Sequence, residues 1–260
     1  MRYILLFLVF IFCFSCAEEQ KKKVIAGQAF GTRYTIQYYG SQSMEDVRIG
    51  VDSVVYAVNK SMSTYLPQSD ISKINTGDST IIIDTMFRDV FTLSRKLNQQ
   101  SQGYFDPTTG VLRNAYGFGD TQPIEHIDKA ILDSLMQYVG WHKVQLQKNG
   151  TIKKEHPEIY FDFNAVAKGY GIDRIAYYLD VNQASDYLIE LGGELRAKGQ
   201  HISKNQAWVV GIENIDSPLE DRSYGATLNL ENSAMAASGN YRKTRVDSLT
   251  GKRYVHTLIL

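Results

Sequence analysis

The sequence predicts a single α+β domain, with mixed, largely antiparallel sheet packed against helices. Three observations predict it. The chain has 260 residues, 43% of them hydrophobic, which suits one buried core and leaves little room for a second. Segments with period-two alternation and segments with apolar residues three and four apart both occur, the marks of strand and helix respectively. The predicted strands cluster in hairpins instead of alternating strictly with helices, unlike a doubly wound sheet.

At the N-terminus Arg2 precedes an apolar run from Ile4 to Phe14, the length of a signal-peptide core and too short to span a bilayer. Phe14-Ser15-Cys16 then meets polar Ala17-Glu18-Glu19-Gln20-Lys21-Lys22-Lys23. This resembles a lipobox, with Phe14 bulkier than that pattern prefers. The expectation is a signal peptide over 1–15, a lipid-bearing Cys16 opening a polar tether over 16–29, and the domain over 30–260. Such a protein is exported and held at the periplasmic face of the inner membrane or its equivalent. An ordinary secreted protein cleaved elsewhere is the alternative. Both cysteines, Cys13 and Cys16, lie in this leader, so the rest of the chain has no disulfide or thiol chemistry.

Tyr34, Ile36 and Tyr38 alternate with Thr35, Gln37 and Tyr39 and predict a half-buried strand. Met44, Val47, Val51, Val54, Val55 and Val58 share one helical face. A second helix follows from Met86, Val90, Leu93 and Leu97, and a third from Ile131, Leu135 and Tyr138, with Asp128 as N-cap and Gly140 past its end. Lys148-Asn149-Gly150 reads as a hairpin turn between 144–146 and 151–152. Further strands are expected at 159–162, 187–191, 208–212, 226–230 and 253–256, with a helix over 166–179. Lys plus Arg and Asp plus Glu number 28 each, so the net charge gives no footprint for nucleic acid or acidic lipid.

Four loop sets combine glycine, hydroxyl and amide residues with apolar or aromatic flanks. In 61–75, Ser69 or Asp70 suits a helix cap, while Tyr65 offers a flat face to a ring ligand. Gly103-Tyr104-Phe105-Asp106-Pro107-Thr108-Thr109-Gly110, continuing to Tyr116-Gly117-Phe118-Gly119, is a good turn sequence and equally suits a nucleotide. In Phe161 to Gly171 a strand gives way to a helix whose N-terminus favours an anion. Lys168 opposes the helix dipole there, which phosphate binding would explain and a solvated lysine would not require. The segment lacks the spacing of a Walker loop. Leu191-Gly192-Gly193 and Ser238-Gly239-Asn240-Tyr241-Arg242 allow close backbone approach and phosphate contact.

Taken in order, Phe30-Gly31-Thr32, Met62-Ser63-Thr64-Tyr65, Phe105-Asp106-Pro107-Thr108, Asp162 to Tyr170, Leu191-Gly192-Gly193, Ser238 to Arg242 and His256-Thr257 resemble the FAD:protein FMN transferase (ApbE) family. The resemblance implies a T-fold-like domain on an exported lipoprotein. It implies an enzyme that splits FAD between its phosphates, passes FMN to a threonine hydroxyl of an acceptor flavoprotein subunit, releases AMP and requires Mg²⁺. Carried over, Tyr65 lies against the isoalloxazine, and Phe30, Thr64, Tyr104, Phe105, Asp106 and Leu258 complete the flavin pocket. Lys168 meets FAD, the main-chain oxygen of Ala165 is a metal ligand, and His256 takes the threonine proton.

Two departures from the family pattern stand out. Phe30 replaces a usual methionine and keeps an apolar contact. Beyond His256-Thr257, the family's Asp-Pro-x-Thr-Gly and a later metal-binding Ala-Asp-Ala-x-Ala-Thr are replaced by Leu258-Ile259-Leu260. The expectation is a truncated chain with weakened Mg²⁺ binding and transfer, closing on an unpaired edge strand of the sheet. An FAD pyrophosphatase and a non-catalytic flavin-binding lipoprotein are the competing expectations, with a carbohydrate-active enzyme using Asp106 and Asp162 as a weaker fourth.

Overall fold

The computed structural model describes residues 21–218, 221, 223–240, 244–247 and 249–257. The expected leader, Cys16, Tyr241, Arg242 and Leu258 lie outside the described residues.

Strands β1 (Lys23–Ala29) and β2 (Thr32–Tyr39) form an antiparallel hairpin. Its two turn residues, Phe30 and Gly31, both have positive φ, 51° and 75°, the backbone twist that a two-residue hairpin favours. Helix α1 (Met44–Met62) follows, its N-terminus capped by the Ser43 side chain accepting from the Asp46 N–H. Ser69 caps α2 (Asp70–Asn75), and Asp84 caps α3 (Thr85–Gln100). Then come α4 (Gly110–Ala115) and α5 (Lys129–Met136), the latter capped by Asp128 as its sequence predicts. A short hairpin of β3 (Val144–Leu146) and β4 (Ile152–Lys154) leads to α6 (Asn164–Val181). The chain continues through β5 (Asp186–Leu191), β6 (Glu194–Lys198), β7 (Trp208–Glu213), β8 (Tyr224–Leu230), β9 (Ala234–Met235), β10 (Thr244–Val246) and β11 (Arg253–Val255).

The main sheet has the order β1-β2-β5-β6-β9 and is antiparallel throughout. Its register pairs Tyr34 with Leu191, Ile36 with Ile189 and Tyr38 with Tyr187, all buried. Val47 and Val51 of α1 and Ile172, Ile175, Ala176 and Leu179 of α6 pack against this set, so the period-two and helical stripes close on one another. A second cluster joins Val58 and Met62 of α1 to Phe87, Val90 and Phe91 of α3, with Trp141, Phe161 and Phe163. Fully buried phenylalanines such as these contribute about 1.5–3 kcal/mol each. Trp208, Val210 and Leu230 of the β7–β8 hairpin form a third cluster with Tyr39, Leu188 and Leu195. No helix among the described residues is long and apolar enough to cross a membrane.

Three expectations are corrected. The tether over 16–29 gives way, from Lys23, to strand β1, with Ile25 and Ala29 buried. Gly27 breaks the alternation there because the Tyr34 ring crosses it, leaving under 3 Å for any added Cβ. The expected strand at 159–162 makes only one isolated bridge, Thr109 to Tyr160. Its backbone bonds elsewhere: Asn75 exchanges two hydrogen bonds with Phe161, and the Asp162 N–H donates to the Pro107 carbonyl. Finally, β11 is no edge of the main sheet; it pairs with β10 in a separate ribbon.

Candidate functional site

Arg113 sits on α4, an otherwise uncharged turn of helix beginning at Gly110. Its Nη1 donates to Asp162 Oδ2 at 2.8 Å and its Nη2 to Asp120 Oδ1 at 3.1 Å, and all three side chains are about nine-tenths buried. Each carboxylate is used again. Asp120 Oδ2 accepts from the Tyr160 hydroxyl at 2.6 Å, and Asp162 Oδ1 accepts from the Asn164 N–H at 2.8 Å. Burial draws the Arg113 pKa down, and Asp162, Tyr65 and Asp120 outweigh it, so the guanidinium is held firmly charged. Burial, then the bond to Asp120, pushes the Tyr160 phenol up to about 12. Above this cluster lies the exposed ring of Tyr65, with Arg113 Cζ 5.9 Å from its centre.

Of the segments named in the sequence, those of Tyr65, Pro107, Phe118, Asp162 and His256 meet around these groups, while Lys168 lies with Glu194 and Gly192 and Phe30 with Gly171. The Tyr104 to Asp106 loop adjoins the cluster through the Pro107 carbonyl, which Asp162 bonds. Phe118, two residues before Asp120, meets His256 edge-to-face with centroids 6.5 Å apart. The His256 Nδ1 is buried and has no partner among the described residues. The Thr257 hydroxyl donates to Asn240 Oδ1 at 2.8 Å, joining two of the quoted motifs. Tyr116 packs at a tilt against Tyr254, and Arg245 donates to the carbonyls of Ala115 and Ile124. The β10–β11 ribbon carrying His256 is therefore fastened to the 115–124 loop.

The residues expected in the site occupy varied surroundings. Asp106, expected to touch flavin, spends both carboxylate oxygens internally. Its Oδ1 accepts from the Thr108 N–H and hydroxyl at 2.8 and 2.6 Å, and its Oδ2 from the Trp141 N–H at 2.8 Å. The buried Thr108 hydroxyl accepts in turn from the Gly140 N–H. Lys168 pairs with Glu194 Oε1 at 2.9 Å beside the Gly192-Gly193 turn. The α6 N-terminus, offered by the sequence to an anion, is met by the chain's own Asp162. Ala165 is exposed in the first turn of α6. Tyr104 is exposed and Phe105 half-buried, while the Thr64 hydroxyl is buried without a partner among the described residues. The Phe30 ring rests on α6 at Gly171, where an added Cβ would stand 2.5 Å from it.

Arg113, Asp120 and Tyr160 carry no role in the sequence reading, and Asn75 and Glu194 stand in its loop segments without one. A lone arginine in Gly110-Val111-Leu112-Arg113-Asn114-Ala115 was a usable signal, since an isolated charge among small and apolar residues implies a buried partner. Asn75 gave none. Among the described residues no three His, Cys, Asp or Glu side chains group to hold a metal ion.

A family model described as the ApbE family matches residues 30–259. The chain is 31% identical to an FAD:protein FMN transferase of Haemophilus influenzae, covering 94% of this chain and 72% of the relative. It is 29% identical to one of Vibrio cholerae, covering 94% and 73% respectively. The solved flavin transferase ApbE from Vibrio cholerae superposes with a TM-score of 0.80 at 28% identity, covering 92% of this chain and 76% of that one. The apo flavinyl transferase ApbE of Pseudomonas stutzeri gives 0.78 at 25% identity, covering 93% and 75%.

Proposed function

The chain belongs to the ApbE family, and from that membership we propose that it is an FAD:protein FMN transferase. In the proposed reaction a threonine Oγ of the acceptor attacks the FMN phosphorus of FAD. The bond from that phosphorus to the bridging oxygen breaks, and AMP leaves with that oxygen. His256, just past the end of β11, takes the threonine proton. The exposed Tyr65 ring receives the isoalloxazine, and Lys168, at the Gly192-Gly193 turn, neutralises phosphate charge.

The observation that carries this proposal is a single chain of contacts. It runs from Tyr65 through Arg113 to Asp162 and Asp120, and from the Asp120 turn through Phe118 to His256. A flavin platform and a proton acceptor from separate loops thus share one cluster.

The Mg²⁺ requirement is a finer part of the proposal. Asp106 and Asp162 use their oxygens on Thr108, Trp141, Arg113 and Asn164, and no metal-ligating group of three occurs among the described residues. The described residues do not fit a Mg²⁺ cage. Export and a lipid anchor on Cys16 complete the proposal; mass spectrometry of the membrane-extracted chain for a diacylated Cys16 tests them.

Purified chain is incubated with FAD, with and without Mg²⁺, and with an acceptor carrying an Asp-Gly-Ala-Thr-like motif. Covalent flavin on the acceptor threonine with equimolar AMP is expected. AMP without flavinylated acceptor would indicate an FAD pyrophosphatase. FAD-dependent thermal stabilisation with neither product would leave a flavin-binding protein. Absence of any FAD binding would end all three.

A further inference from the structure

Tyr65 extends into solvent from its loop, 63% exposed, and a ring so placed needs something to hold its plane. Beneath it is a charge that hardly sees water: the Arg113 side chain is 10% exposed. Isolated burial of that charge would be costly, yet two carboxylates flank it, and both of those are pinned by Tyr160 and Asn164. The guanidinium plane is fixed from two sides, by Asp162 and by Asp120.

We propose that Arg113 is a positioning residue for the flavin, its clamped guanidinium holding the Tyr65 ring in the plane on which the isoalloxazine stacks. The inference rests on the proposed flavin transfer and adds a residue to it. A planar cation under an aromatic face attracts the ring through its quadrupole. Lysine carries the same charge without the flat fork, so it reaches one carboxylate at a time and sets no plane.

Arg113→Lys is the primary test, measured in the full chain. FAD affinity is read from quenching of flavin fluorescence on binding, and transfer from the KM for FAD and kcat. Loss of the platform is expected to raise the KM for FAD about tenfold and weaken the quench, leaving kcat within about threefold. Tyr65→Leu and the double variant complete a cycle. If Arg113 acts through the ring, the lysine change adds little in the leucine background, so the two effects are strongly non-additive.

Additive effects, or a wild-type KM and quench in Arg113→Lys, would overturn the positioning role while leaving flavin transfer intact. Wild-type chain that neither quenches nor binds FAD would remove the transferase proposal, and this inference with it. Should Arg113→Lys fold poorly, Asp120→Asn substitutes. It keeps an acceptor oxygen for Arg113 but weakens one side of the clamp, and is expected to raise the KM for FAD severalfold with kcat retained. An unchanged KM in Asp120→Asn would count against the clamp.

Discussion

Replacing Asp106 distinguishes a flavin contact from a structural clasp. The Asp106 carboxylate accepts three hydrogen bonds, two from Thr108 and one from the Trp141 N–H, and Thr108 is fully buried. A hydrogen bond to a charged group contributes about 1.5–3 kcal/mol, and a buried donor left unpaired costs about 1–3 kcal/mol. Asp106→Ala removes all three bonds; with water entering the half-exposed side, about 3–5 kcal/mol of destabilisation is expected. Asp106→Asn keeps an acceptor toward Thr108 but turns an amide N–H toward the Trp141 N–H, for about 2–3 kcal/mol. At about 2–4 °C per kcal/mol for a domain of this size, the asparagine variant melts roughly 4–12 °C below wild type. Differential scanning calorimetry measures this, and FAD titration below the melting range measures binding. An asparagine variant that melts with wild type yet no longer binds FAD would refute the clasp and restore Asp106 as a flavin contact.

His256→Ala is expected to lower the transfer rate by roughly 10²- to 10⁴-fold while FAD still quenches on binding, read by stopped assays beside fluorescence titration. Lys168→Met, which breaks a half-exposed pair with Glu194, should change stability by under about 1 kcal/mol but raise the KM for FAD; an unchanged KM would place Lys168 outside the site. Lys154 donates to the carbonyls of Ile74, Pro157 and Ile159, and burial lowers its pKa to about 8. Because the folded value lies below the unfolded one, the unfolded chain binds more protons from about pH 8 to the ordinary lysine range, so the lysine's burial cost shrinks as pH rises through that window. Urea denaturation of wild type and Lys154→Met should show wild type gaining relative stability from pH 8 to pH 10, and a flat difference would contradict it.

The longer helices were legible because their signals are local, whereas α4, with no apolar stripe of its own, was not. Ser69, Asp84 and Asp128 each cap the helix that follows them, and apolar stripes such as Val47-Val51-Val58 face the core. The first strand was not, since Lys21-Lys22-Lys23 looks like a solvated tether and Gly27 hides the alternation of Ile25 and Ala29. At 159–162 the sequence predicts a strand, and Ile159 and Phe161 are buried, but the bonding partners are Asn75 and Pro107, distant in sequence. The site divides in the same way. Glycine and aromatic motifs announce their loops, whereas the ion pair of Arg113 with Asp162 joins residues 49 apart, and nothing local encodes that meeting. Asp106 enters the expected flavin pocket through the family resemblance, and the sequence does not show the Thr108 and Trp141 donors that its carboxylate accepts.

The β10–β11 ribbon has no strand in common with the main sheet; Arg245 and Tyr254 hold it to Ala115, Ile124 and Tyr116. The histidine it bears is thus moored to a loop and not to the frame. Under the proposed chemistry, weakening the frame lowers the melting point without changing the rate of the surviving molecules. Loosening the mooring does the reverse, slowing turnover in a protein that still unfolds at its usual temperature.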